Sequence, residues 1–96
     1  MYLNDLLREK REDILRLAKA YGAYNVRVFG SVARGEADED SDIDLLVTME
    51  NGRTLLDLIG LWMDLEELLQ RKVDVVSEGG LREGFGEHVL KEAVAL

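Results

Sequence analysis

Apolar and polar positions follow two rhythms along this chain, and the rhythm changes where candidate chemistry begins. Leu3, Leu7, Ile14, Leu17, Ala18 and Tyr21 recur at helical spacing and predict a first amphipathic helix. Asn4 is its candidate cap, Asp5 sits in its first turn, and Lys19 followed by Gly22 supplies stop signals. The opposite side, with Arg8, Lys10, Arg11, Glu12 and Arg16, reads as a solvated face. Asn25 to Phe29 is short, β-rich and runs directly into Gly30-Ser31. From Asp42 to Met49 the period becomes two: Ile43, Leu45 and Val47 point one way, Asp42 and Asp44 the other.

Glu50-Asn51-Gly52 is a turn by composition. Thr54, with Asp57 three residues on, predicts a capped second helix whose buried stripe is Leu55, Leu58, Ile59, Trp62, Leu65 and Leu69. Met63 is expected in the core with Trp62. Leu56, Leu61 and Leu68 lie off that stripe and make the helix apolar over much of its circumference, as suits a helix held between its own sheet and a partner. Val73 to Val76 predicts a third strand carrying one carboxylate, Asp74. If it pairs beside the second strand, Asp74 reaches the face of Asp42 and Asp44. Gly79, Gly80, Gly84 and Gly86 disfavour a helix around Leu81 to Phe85, whereas Glu87 to Ala95 is better helical material. Helices alternating with strands predict an α/β fold, a small sheet flanked by helices, as one domain over residues 1–96.

Composition narrows the function classes. At 47% hydrophobic and 33% charged the 96-residue chain is globular, and no apolar run approaches the ~20 residues of a membrane span. The absence of a signal-peptide pattern and of cysteine makes a cytoplasmic location the expectation, and leaves neither disulfides nor thiolate metal sites. The net charge of −8 opposes phosphate tracking along nucleic acid and favours a basic partner or a small cation-neutralised substrate. A chain of this size is expected to need a second surface to complete its active site.

The candidate chemistry gathers between Gly30 and Val47. Asp42 and Asp44 place two carboxylates on one face, which repel unless a proton or cation lies between them; hard oxygen ligands of this kind suit magnesium carrying a phosphate. Gly30 lets the backbone approach a phosphate, and Ser31 offers its hydroxyl and N–H at the start of a short helix. Arg34 either meets a triphosphate or holds the acidic loop by pairing with Asp40 or Asp42. Glu36, Asp38, Glu39 and Asp40 read as solvated loop acids, and His88, the only histidine, as a surface or interface residue.

Gly30-Ser31, ten residues, then Asp42-x-Asp44, with Arg34-Gly35 between, is similar to the signature of the nucleotidyltransferase superfamily that includes DNA polymerase beta. The short form with GSVARGE followed by SDIDLLV most closely resembles the minimal nucleotidyltransferase (MNT) antitoxins, partners of HEPN-domain toxins. The resemblance implies a polymerase beta-like fold with a small mixed sheet, ATP as donor, and AMP transfer to a tyrosine hydroxyl of the HEPN ribonuclease toxin, which silences it. It further implies two magnesium ions held by Asp42, Asp44 and Asp74 as the catalytic set, with Gly30, Ser31, Arg34, Asp42 and Asp44 around the nucleotide. Two rivals stand beside it: a non-catalytic toxin-masking module, separable by its response to magnesium and ATP, and a small-molecule nucleotidyltransferase, whose usual substrate domain this chain lacks.

Overall fold

The computed structural model describes residues 3–38, 40–80 and 85–96. Helix α1 (Leu3–Ala20) precedes β1 (Ala23–Phe29), the single turn α2 (Gly30–Ala33), β2 (Ile43–Met49), α3 (Leu55–Leu69), β3 (Val73–Ser77), a 3-10 turn (Glu78–Gly80), α4 (Phe85–Glu92) and β4 (Val94–Ala95). The sheet order is β3-β2-β1-β4, with β2 and β3 parallel and both other pairs antiparallel. A parallel neighbour needs a crossover, which α3 provides. No helix of the described residues is long and apolar enough to cross a membrane.

The strands alternate as their sequences demand. Val26 and Val28 of β1, Ile43, Leu45 and Val47 of β2, and Val73 and Val75 of β3 all face α1 and α3, where Leu7, Ile14, Ala18, Leu61, Leu65 and Leu69 complete the main core. Burying each such side chain contributes about 1.5–3 kcal/mol, so this layer is what fixes the strands in register. The other sheet face carries a smaller cluster, in which Phe29 and Leu46 pack against Val89 of α4. Asn25, at φ 52°, lies where the β1–β2 register shifts, so β1 starts at Ala23, before the run that its composition marks.

Three further expectations are corrected. Asn4 lies inside α1, which already begins at Leu3, so it does not cap it. On α3 the buried positions are Leu61, Leu65 and Leu69, while Leu55, Leu56, Ile59 and Met63 are exposed by 68%, 78%, 41% and 65%. A helix apolar nearly all round gives little periodic contrast to fix the buried arc; contact with the sheet fixes it, so the arc keeps Leu65 and Leu69 of the expected stripe and turns toward Leu61. Thr54 does begin α3 with the foreseen box, its N–H donating to Asp57 Oδ2 at 2.9 Å. Finally, α4 stops at Glu92 rather than running to Ala95, because Val94 and Ala95 pair with Val28 and Arg27 at the open edge of β1. Residues 81–84 and Glu39 lie outside the described residues.

Candidate active site

Because β1 and β2 run antiparallel, the carboxyl end of β1 meets the amino end of β2, and Phe29 pairs with Asp44. Because β2 and β3 run parallel in register, Asp44 lies beside Asp74. The chain thus gathers the Gly30-Ser31 turn and two aspartates at one corner, using the carboxyl end of one strand and the amino ends of two others. Asp42, Asp44 and Asp74 are all partly buried. Asp42 lies one residue ahead of β2, outside the strand that alternation gave it.

The electrostatics of the corner centre on Asp44. Its pKa is pushed up from 3.8 to about 6, first by burial and then by the charges of Asp74 and Asp42, with Arg34 opposing them. Crowded carboxylates of this kind are what a divalent cation relieves, and three hard oxygen donors fit magnesium in chemistry. No group of three or more acidic, histidine or cysteine side chains stands in a ready metal-ligating arrangement among the described residues.

Gly30 has a structural reason beyond phosphate approach. Its φ of 73° lies in the left-handed region, and a Cβ there would fall on the Asp44 carboxylate. The glycine therefore lets Asp44 lie against the turn. Ser31 follows it, partly buried, but α2 has only four residues, so its summed dipole is small and the anion affinity expected from a helix start is weak. Arg34 pairs with neither Asp40 nor Asp42. Its Nε donates to Glu36 Oε2 at 3.0 Å and its Nη1 to Glu92 Oε1 at 2.5 Å. Of the loop acids, Glu36, Asp38 and Asp40 are exposed as expected, and Asp38 Oδ1 accepts the Asp40 N–H at 2.9 Å, bracing the approach to Asp42. His88 is exposed on α4.

Glu92 is the residue that sequence reasoning missed. Its Oε2 accepts the Gly30 N–H at 2.9 Å, and Arg34, then this N–H, hold its carboxyl below the usual carboxylate range. Nothing in the tail signals this, since the contact spans 62 residues and depends on where α4 ends. At the far end of the same sheet face Arg27 donates to Thr48 Oγ1 at 3.3 Å and Glu78 Oε2 at 3.0 Å, tying the 3-10 turn to the strands. A cleft of about 410 Å³ opens between α1 and β4, lined by Arg8, Arg11, Val28 and Val94 among others, and includes none of the three aspartates.

The chain resembles known proteins over most of its length. The family described as nucleotidyltransferase domain matches residues 7–95. The chain is 43% identical over 94 residues to the protein adenylyltransferase MntA of Thermococcus cleftensis, covering 93% of this chain and 95% of that one. It is 38% identical over 88 residues to a candidate protein adenylyltransferase of Methanocaldococcus jannaschii, covering 92% and 95%. A solved structure described as a candidate minimal nucleotidyltransferase superposes with a TM-score of 0.87 at 58% identity, covering 96% of this chain and 94% of that one. A toxin–antitoxin structure with AMP-PNP shares the fold at a TM-score of 0.76 and 21% identity, over 88% and 69% of the two chains.

Proposed function

The chain belongs to the nucleotidyltransferase domain family and is a nucleotidyltransferase; from that premise we propose that it transfers AMP from ATP to a tyrosine hydroxyl of a HEPN-type ribonuclease toxin and thereby neutralises it. The observation that carries the reading is the corner at which Gly30-Ser31 abuts Asp44 and Asp44 lies beside Asp74, with Arg34 three residues beyond Ser31. The names of the two full-length relatives support a protein acceptor.

In this reading Gly30, Ser31 and Arg34 hold the β- and γ-phosphates, leaving the α-phosphorus exposed toward Asp42, Asp44 and Asp74. The acceptor oxygen forms a bond to that phosphorus, the bond to the bridging oxygen breaks, and pyrophosphate departs. Asp74, at the edge of the corner, takes or orients the acceptor's proton. Magnesium held by Asp42, Asp44 and Asp74 would supply charge neutralisation for the leaving phosphates and acidify the acceptor. Since Asp74 serves the acceptor side, Asp74→Asn should lose turnover yet keep most of its ATP affinity in magnesium, whereas Asp44→Asn loses both. Equal loss of affinity, measured by calorimetry, would refute this division.

The acceptor needs a docking surface. Leu55, Leu56, Ile59 and Met63, all exposed, fall within roughly 100° of arc on α3, on a chain whose net charge of −8 favours a basic, RNA-handling partner. Leu56→Glu is expected to weaken the complex with a HEPN-type toxin at least about 100-fold while leaving the melting temperature within a few degrees, because Leu56 is not in the core. The functional test mixes the chain, magnesium and ATP with that toxin and maps AMP-sized mass increments by peptide mass spectrometry. AMP on a toxin tyrosine is expected; adenylylation of free nucleotides or small alcohols, with the toxin unmodified, would replace this reading with a small-molecule one.

A further inference from the structure

Glu92 is the last residue of α4, yet its carboxylate reaches the turn after β1. Oε2 takes the Gly30 N–H at 2.9 Å and Oε1 takes Arg34 Nη1 at 2.5 Å. The Glu92 side chain is 13% exposed, against 44% for Arg34, so it is the inner member of the pair. The element carrying it is anchored on both sides: Val89, 1% exposed, packs on Phe29 and Leu46, and Val94 and Ala95 join the edge of β1. Glu92 is thus placed by the fold and is not a chance surface partner.

Resting on the nucleotidyltransferase reading of this corner, we infer that Glu92 is an internal occupant of the nucleotide's phosphate subsite, which a phosphate of ATP must displace. A backbone N–H beside a guanidinium is a donor pair suited to a phosphate oxygen. Here one carboxylate already accepts from both. A second anion cannot take the Gly30 N–H or the Nη1 hydrogen that Glu92 holds, and with Nε on Glu36 it meets only the remaining N–H groups of Arg34, while its charge is repelled by the Glu92 carboxylate. The apparent affinity for ATP is therefore lowered by the fraction of molecules in which the contact is closed. In the free protein the same contact keeps Arg34 beside the turn and away from Asp42. Glu92 acts through Arg34 and Gly30, as a positioning residue, and takes no part in bond making.

The test is calorimetric binding of a non-hydrolysable ATP analogue, with magnesium, to the whole chain and its variants. Glu92→Gln and Glu92→Ala are each expected to bind about 5- to 10-fold more tightly than the parent. Glu87→Gln removes the same charge from an exposed position of α4 and is expected to stay within about twofold, as a screened charge should. Combined with Arg34→Ala, Glu92→Gln should bring no gain. The inference is overturned if the Glu92 variants bind as the parent does or more weakly, if they fail to fold, or if Glu87→Gln gains as much as they do. Parent binding without a gain removes this inference alone. No binding by any form removes the adenylyltransferase reading with it.

Discussion

Asp44→Asn is expected to cost AMP transfer at least about 10³-fold and yet to raise the melting temperature at neutral pH. The first effect follows from removing one charge of the acidic corner. The second follows from linkage. The Asp44 carboxyl, raised from 3.8 to about 6 by burial and then by the charges of Asp74 and Asp42, holds its proton more tightly in the fold than in the unfolded chain. Its contribution is therefore fully present below about pH 4 and is lost as pH rises through about 6. A shift of that size corresponds to roughly 3 kcal/mol, and because Asp44 is partly exposed to screening solvent the expected gain of Asp44→Asn at pH 7.5 is about 1–2 kcal/mol. Near pH 3.5 parent and variant should melt together. Melts across that range check the account; a variant less stable than the parent at pH 7.5 would sink the crowding argument.

Gly30→Ala should damage both stability and chemistry. The backbone at φ 73° costs a side chain about 1–2 kcal/mol, and the new methyl meets the Asp44 carboxylate, so one of them must move. We expect a loss of about 2 kcal/mol or more, with transfer by the folded fraction down at least about 100-fold as the carboxylate leaves its place. Gly52 provides the control. Its φ of 87° carries the same backbone cost, but a Cβ there meets nothing within 4 Å. Gly52→Ala should lose about 1 kcal/mol and keep its transfer rate. If the two variants match in melts and in label transfer, the Gly30–Asp44 contact has no part in the site.

The parts of this molecule that sequence reading reached are those set by local alternation. Ile43, Leu45 and Val47 face the core because a strand has period two, and the same rule turns Asp44 outward; Asp74 joins it because a parallel neighbour in register repeats the pattern. The parts that escaped are set by contacts distant in sequence. Leu61 belongs to the core and Met63 to the surface because of where α3 rests on the sheet, which a helix apolar on most sides does not encode. Val94 and Ala95 read as helix because their strand partner, β1, lies far back in the chain. Arg34 could be narrowed by chemistry to an anion but not to Glu92, whose position depends on α4 ending one turn beyond Val89. Gly30 was legible as a glycine the site needs, though the carboxylate that demands it was not.

Everything proposed for this chain depends on AMP transfer to a protein at the acidic corner. It is measured by incubating the chain and a HEPN-type toxin with magnesium and either α- or γ-labelled ATP, and repeating this with the Asp42→Asn/Asp44→Asn double variant. Label on the toxin from the α-position only, release of pyrophosphate, and no label with the double variant are expected. Label from the γ-position, or α-label transferred undiminished by the double variant, would contradict it.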